Sequence, residues 1–174
     1  PALLIGGIFG GIVEEVLFNP TVVAIALLIG GIILLIIESK QRTAKITSIA
    51  QLSYSTAIVI GFIQTLAMIP GTSRSAATII GAMLLGCSRV VSAEFSFFLA
   101  IPTMLAATVY SLYKSGMHLT SNEYLTIAIG FVVSFIVAYI VVAAFIKFIS
   151  TNNFKIFGWY RIVLGVIVLL YFFI

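Results

Sequence analysis

Long apolar runs, separated by short polar segments, recur along the whole sequence. A helix needs about 20 mainly apolar residues to cross the hydrocarbon core of a bilayer. Polar breaks such as Asn19-Pro20 mark where such helices begin and end. The pattern predicts a single transmembrane domain with spans at about 1–17 (the last part of a span), 21–37, 93–113, 123–148 and 156–174.

One apolar stretch is too short for a full crossing. The residues between Ser75 and Gly86 rise about 15 Å as a helix, which is about half of the hydrocarbon core. We therefore predict a re-entrant helical hairpin over about 46–86, with its tip at 70–75. Irregular backbone at that depth persists only where protein buries it or water reaches it.

Composition agrees with lipid as the main solvent. Hydrophobic residues make up 62% of the chain and charged residues only 8%, against about 25% charged in an ordinary soluble domain. Mean hydropathy is +1.28. The sequence therefore predicts an all-α polytopic membrane protein. With one His and one Cys, a His/Cys metal cluster and an internal disulfide are both excluded.

The net charge of +4 comes from basic residues that stand singly between apolar runs, which argues against a nucleic-acid patch. If the loops 38–45, 86–92 and 149–155 share one side, that side is strongly basic, and Lys114 lies on the other. The positive-inside rule then makes the basic side cytoplasmic. Its cations are Lys40, Arg42, Lys45, Arg89, Lys147 and Lys155.

The predicted tip carries the chemistry. Arg74 lies among Thr72, Ser73 and Ser75, and an arginine within a membrane costs about 2.5–3.5 kcal/mol on insertion scales, so it usually marks a ligand or a partner. A helix beginning at Ala76 would add unpaired N–H groups that attract an anion. The tip is therefore either a phosphate cradle, or a capped helix start whose arginine snorkels or pairs with a buried acid.

Polar side chains elsewhere leave alternatives open. Gln64 and Thr65 precede the tip on one helical face, where they either point into the same cavity as Arg74 or hydrogen-bond between helices. Glu94 either pairs with Arg89 at the interface or orients Arg74.

Other polar groups are interpreted as interface residues. Glu14 and Glu15 are adjacent, so they point about 100° apart on a helix and do not form a general acid–base pair. Trp159 and Tyr160, beside Arg161, resemble the aromatic anchors of a membrane interface.

Motifs of several other classes are absent. No G-x-x-x-x-G-K-[ST] loop is present, which argues against an NTPase. No histidine follows Ser73-Arg74 at short range, which argues against acid-phosphatase-type lipid phosphatases. An arginine at the tip repels cations and so argues against a K⁺-type filter.

Several segments together resemble the bacterial undecaprenyl-diphosphate phosphatase family of the bacitracin-resistance type. The resemblance covers nearly the whole chain and is most specific from about 61 to 116. The segments that carry it are Gly61-Phe62-Ile63-Gln64, Pro70-Gly71-Thr72-Ser73-Arg74-Ser75-Ala76-Ala77-Thr78, Gly86-Cys87-Ser88-Arg89 and Ala93-Glu94-Phe95-Ser96-Phe97-Phe98-Leu99-Ala100-Ile101-Pro102.

The resemblance implies a fold of inverted repeats whose re-entrant tips meet in the membrane. It implies hydrolysis of the terminal phosphate of a C55 polyprenyl diphosphate, which gives the monophosphate carrier lipid for cell-wall synthesis. The site would open to the outer face of the bacterial cytoplasmic membrane, and Mg²⁺ or Ca²⁺ would assist. Ser73 and Arg74 would be catalytic. The substrate-binding residues would be Gly71, Thr72, Ser75, Gln64 and Thr78.

The family's first motif, a Glu-rich stretch followed by Pro-x-Ser-Ser/Thr-x-Gly-His, has no match. We therefore expect the chain to correspond to the C-terminal two-thirds of the family and to be inactive alone. The cation would be held through substrate phosphates and the missing motif, without metal ligands in this chain. Alternatives are a polyprenyl-phosphate transporter or flippase and a non-catalytic paralogue. A homodimer is also possible.

Overall fold

The computed structural model describes residues 1–40, 43–114 and 120–173. Its regular elements within these ranges are helical, apart from an isolated parallel bridge between Ile46 and Cys87. Arg42, counted above among the basic residues, lies outside the described residues. The α-helices are α1 (Ala2–Leu17), α2 (Pro20–Ser39), α3 (Tyr54–Ile63), α4 (Arg74–Leu84), α5 (Arg89–Lys114), α6 (Ser121–Thr151) and α7 (Lys155–Phe173).

Four of these helices, α2, α5, α6 and α7, are long and apolar enough to cross a membrane. Their most apolar windows reach a mean hydropathy of 2.8 in α2 and α6, and no residue of that window in α6 is buried inside the protein. An apolar helix that the protein leaves uncovered needs lipid around it. The prediction of an all-α multi-pass membrane protein is confirmed.

Local signals explain where these helices begin. Pro20 occupies the first turn of α2, and the side chain of Asn19 accepts a hydrogen bond from the Val22 amide at 2.9 Å. At the start of α6, Thr120 and Glu123 form a reciprocal capping box. These caps therefore set the residues at which α2 and α6 begin.

The segment from 46 to 86 folds back on itself. Helix α3 continues into a 3₁₀ helix, Gln64–Met68, and α4 returns along both. The two ends of this hairpin are tied together by backbone hydrogen bonds: the amides of Lys45 and Ile46 donate to the Gly86 carbonyl, and the Ser88 amide donates to the Ile46 carbonyl. Backbone hydrogen bonds therefore close the base of the hairpin, at the end opposite its tip.

Helices α2 and α7 form the most extensive helix pair, and glycines line the contact between them. A Cβ added at Gly31 would lie 2.8 Å from the Gly158 carbonyl oxygen, and one at Gly165 would lie 3.0 Å from the Ala24 carbonyl oxygen. Small residues let membrane helices approach backbone to backbone. Any larger side chain at these positions would force α2 and α7 apart.

A buried carboxylate joins the three loops that the charge pattern placed on one side. Glu38 accepts hydrogen bonds from Arg89 Nε at 2.9 Å and Nη2 at 2.6 Å, and from the Phe154 amide at 3.1 Å. Its side chain is fully buried. The three loops therefore lie at one end of the molecule, which we call the basic end. The interpretation that Arg89 pairs with Glu94 is wrong, because Arg89 pairs with Glu38.

Candidate active site at the hairpin tip

The tip turn, residues 70–75, joins the 3₁₀ helix to α4. Gly71 has φ +86°, and a Cβ there would lie 2.5 Å from the Val23 carbonyl oxygen of α2. The Thr72 amide donates to the Ile69 carbonyl at 3.1 Å, which closes the turn. Glycine is therefore required at 71 by both its backbone conformation and the close approach of α2.

Ser73 has a backbone conformation that side chains rarely adopt, with φ +66°. It is the N-cap of α4: its Oγ accepts a hydrogen bond from the Ala76 amide at 3.4 Å and lies 3.3 Å from Ser75 Oγ. The side chain of Ser73 is exposed. Left-handed backbone at a non-glycine residue costs about 1–3 kcal/mol and clusters at functional sites. The cap alone does not require that conformation.

Arg74 begins α4 and is half-buried. Its Nη1 lies 3.5 Å from the Ser96 carbonyl oxygen, which is a long hydrogen bond. Within the described ranges, the ion pair recorded is Glu38–Arg89, so no described carboxylate lies within pairing distance of Arg74. The alternative that Arg74 is locked onto a buried acid, Glu94 included, therefore finds no support among the described side chains.

Thr78, one turn into α4, and Gln64, at the start of the 3₁₀ helix, are both buried. Thr78 Oγ1 lies 2.6 Å from Ser96 Oγ and donates to the Arg74 and Ser75 carbonyls, so its hydroxyl faces α5 and the first turn of α4. Gln64 is 5% exposed, and its Oε1 has no hydrogen-bond partner among the described atoms. The structure thus places Thr78 behind the tip and leaves Gln64 with an unused acceptor.

Arg161 of α7 was not predicted as part of the site, yet it holds the tip turn. Its Nη1 donates to the Thr72 carbonyl at 3.0 Å, and its Nη2 donates to the carbonyls of Gly71 at 3.0 Å and Ala26 at 3.2 Å. Arg161 is 7% exposed and its Nε has no partner among the described atoms. It lies about 9 Å along α7 from Lys155, and its guanidinium packs inside the protein against the tip turn.

The sequence held one signal for Arg161: it is a lone cation about two turns inside an apolar helix, as conspicuous as Arg74. Its place in the packing depends on Gly30, since a side chain there would overlap the guanidinium. The adjacent Trp159 and Tyr160 are both exposed, and their role as interface anchors stays a prediction. Because Arg161 is next to these two aromatic residues in the sequence, it was grouped with them, although its side chain is buried and theirs are exposed.

Two cavities open beside the tip turn. One, of about 350 Å³, is lined by Ser73, Ser75 and Arg161 on one side and by Phe145, Phe154 and Phe157 on the other. The second, of about 500 Å³, is an apolar groove between α2 and the hairpin that reaches Thr72. Polar groups at the tip are therefore adjacent to space lined by hydrocarbon.

The tip does not supply a metal site of its own. No group of three or more His, Cys, Asp or Glu side chains in the part of the chain that the structure describes could hold a metal ion. The groups at the tip are hydroxyls and two guanidiniums, and the carbonyls of Gly71 and Thr72 are occupied by Arg161. A hard divalent cation needs several oxygen ligands, mostly carboxylates. The donor set does not fit one.

Fold and site define a polytopic helical membrane protein whose hairpin tip gathers two cations and hydroxyls inside an apolar body. The sequence profile of the bacitracin resistance protein BacA family matches residues 1–167, and the chain belongs to that family.

Curated relatives agree with this membership. Undecaprenyl-diphosphatase 1 of Clostridioides difficile (strain 630) is 50% identical over the whole chain, and undecaprenyl-diphosphatase of Enterococcus faecalis is 49% identical over 98% of it. Undecaprenyl-diphosphatase 3 of Acinetobacter baylyi is 50% identical over 97% of the chain. The chain spans 64%, 62% and 64% of the length of these three relatives, respectively.

Proposed function

We propose that the protein hydrolyses undecaprenyl diphosphate to undecaprenyl phosphate and inorganic phosphate. In this reaction the oxygen of water bonds to the terminal phosphorus, and the anhydride P–O bond breaks. The bridging oxygen stays with the lipid monophosphate. The relatives' names support the substrate. The observation on which the proposal rests is a tip turn flanked by two guanidiniums with no described carboxylate in pairing distance of either.

Charge balance is the physical argument. A buried cation without a counter-ion is costly, so protein cations inside a membrane pair with an acid or with a ligand. Arg161 is bound only by neutral carbonyls, and Arg74 by one distant carbonyl. A diphosphate would supply the missing negative charge. Guanidinium groups also match phosphate oxygens in geometry.

Each tip residue then has a role. Arg74 binds the terminal phosphate and stabilises the charge that develops on the transferred phosphoryl group. Ser73 and Ser75 orient the phosphate with their hydroxyls, together with the amides at the start of α4. Arg161 acts through the turn, because it binds the carbonyls of Gly71 and Thr72. We assign no general base to the described residues.

The apolar groove that ends at Thr72 supports a lipid substrate over a soluble one. Its volume of about 500 Å³ and its lining from α2 and the hairpin fit part of a polyprenyl chain while the headgroup lies at the tip turn. A soluble diphosphate would leave this groove unused.

Orientation and partners complete the proposal. By the positive-inside rule, the basic end faces the cytoplasm, and the tip opens to the outer face of the bacterial cytoplasmic membrane. The product would return to cell-wall synthesis, and its formation would lower sensitivity to bacitracin. The homodimer stays a prediction, which light scattering in detergent tests. The predicted Mg²⁺ or Ca²⁺ also stays a prediction, and no step is derived through it.

Phosphate release from undecaprenyl diphosphate by the full-length protein in proteoliposomes tests the proposal. Arg74→Ala should abolish nearly all release, whereas Lys114→Ala, which removes an equal charge at the far end of α5, should leave it unchanged. Leaflet exchange of the same lipid is measured in parallel. Exchange without phosphate release by the unaltered protein would identify a transporter, and near-normal release by Arg74→Ala would remove Arg74 from the mechanism.

A further inference from the structure

A third cavity is larger than either of the two beside the tip turn and lies away from the tip. It lies at the basic end, beside the base of the hairpin, and has a volume of about 940 Å³. We call it the basic cavity. Ligand pockets commonly measure about 300–1,000 Å³, so this volume admits a sizeable group. The proposed hydrolysis makes no use of it.

The charged groups on its lining do not balance. Lys40, Lys45 and Arg89 face a single carboxylate, Glu38, which leaves a net charge of +2 on the lining. Both oxygens of Glu38 are engaged by Arg89, and one also accepts from the Phe154 amide. The carboxylate therefore has little capacity left to neutralise the two lysines.

The fold positions two of these cations, Lys45 through its backbone and Arg89 through its side chain. The backbone amide of Lys45 donates to the Gly86 carbonyl at 2.9 Å, which ties this lysine to the base of the hairpin. The stem of Lys45 lies beside Gly86, at the distance where a Cβ on residue 86 would make an ordinary contact of 3.6 Å. Arg89 binds Glu38 through Nε and Nη2, and its side chain is 44% exposed. Among the described residues, Nη1 of Arg89 has no hydrogen-bond partner.

The lining also includes apolar side chains, Ile37, Leu84 and Val90 among them, beside a few hydroxyl residues such as Ser88. A phospholipid presents this same combination, since its charged headgroup adjoins hydrocarbon chains. Basic pockets between membrane helices on the cytoplasmic side are known to take doubly anionic headgroups. A soluble anion would make no favourable contact with these apolar side chains.

We propose that the basic cavity binds the headgroup of an anionic phospholipid from the surrounding leaflet, with Lys40 and Lys45 contacting its phosphates. A lipid with two phosphates matches the net charge of the lining. This inference does not depend on the proposed hydrolysis, because the cavity and the tip turn lie at opposite ends of α4.

Native mass spectrometry of the purified protein tests it, with cardiolipin, phosphatidylcholine and inorganic phosphate as probes. The protein should retain cardiolipin and not phosphatidylcholine. The double variant Lys40→Gln/Lys45→Gln should bind cardiolipin about 30-fold more weakly, because each lysine contributes about a fivefold change in affinity. Lys114→Gln is the matched control at the other end and should bind like the unaltered protein.

Equal binding by the double variant overturns the proposal, as does an equal loss in Lys114→Gln. Displacement of cardiolipin by millimolar inorganic phosphate also overturns it, because the cavity would then be a site for free phosphate. Lys45→Gln alone is measured as well, since the bond that ties residue 45 to Gly86 is made by its backbone and survives the change. Its binding should fall between those of the unaltered protein and the double variant.

Discussion

Gly30→Ala is the smallest change that should disturb the tip turn from a distance. Gly30 lies on α2 and touches no tip residue, but the space where its Cβ would be is filled by the guanidinium of Arg161. An alanine Cβ would lie 2.9 Å from Cζ and 3.1 Å from Nε of Arg161, and closer still to Nη2. Nη2 is the atom that binds the carbonyls of Gly71 and Ala26.

The size of the effect follows from these distances. Ordinary contacts to a Cβ begin at 3.4 Å, so Cζ of Arg161 has to retreat by at least 0.5 Å and Nη2 by about 1 Å. A displacement of about 1 Å in catalytic geometry can cost about 100-fold in rate. We therefore expect kcat to fall by about 100-fold, with a much smaller change in KM. Substrate binding by Arg74 is not touched directly.

Phosphate release is measured for Gly30→Ala, Arg161→Ala, the double variant and Gly130→Ala. Gly130 is the matched control, because a Cβ there meets nothing within 4 Å. If Gly30→Ala acts through Arg161, it should add almost nothing in the Arg161→Ala background, since the two residues share one interaction.

Activity of Gly30→Ala within twofold of the unaltered protein would refute this reasoning. So would multiplicative losses in the double variant, because they would mean that residue 30 and Arg161 act independently. Thermal unfolding in detergent separates both outcomes from simple destabilisation of the α2–α7 contact.

Two sets of substitutions and one labelling experiment test other parts of the fold. Arg89→Ala leaves the buried Glu38 carboxylate with the Phe154 amide as its remaining recorded partner, so stability should fall by about 3 kcal/mol, and an unchanged melting temperature would contradict the pairing. Gly71→Ala should lower stability more than Gly86→Ala, although both glycines have positive φ. A Cβ at residue 71 would lie 2.5 Å from the Val23 carbonyl oxygen, whereas a Cβ at residue 86 would lie 3.6 Å from the Lys45 side chain. Burial raises the pKa of the Cys87 thiol, so the thiolate fraction at pH 8 is reduced and maleimide labelling of the folded protein should be slow; rapid labelling would show that the base of the hairpin opens.

The lengths of the apolar runs were enough to predict the long helices and the hairpin segment, because lipid imposes a minimum helix length that appears directly in the sequence. The ends differ by a few residues: α5 begins at Arg89 where the run predicted 93, since the Ser88 hydroxyl accepts from the Val91 amide and starts the helix early. Polar caps extend a helix beyond its apolar part.

Helix pairing could not be predicted in the same way. A helix such as α6 is apolar on every side, so the pattern does not indicate which face contacts protein and which contacts lipid. The pairing of α2 with α7 was marked only by glycines far apart in the chain, Gly31 and Gly158 among them. Arg161 was missed for the same reason, because its role depends on a contact between these two helices.

At the tip, the local grouping of Arg74 with Ser73 and Ser75 was enough to locate the candidate site. The left-handed backbone of Ser73 was not predictable, since serine has no preference for that conformation. The buried acceptor of Gln64 likewise depends on how α1 and α4 surround the 3₁₀ helix. These are properties of the packed molecule.

The contact between Arg161 and the tip turn also sets an order of events during biosynthesis. Thr72 and Arg161 are 89 residues apart, which a ribosome takes on the order of ten seconds to add. The hairpin emerges well before the helix that holds its turn. A nascent chain released before α7 has entered the bilayer would carry the tip hydroxyls and Arg74 on an unsupported loop, so quality-control proteases have a physical feature by which to recognise it.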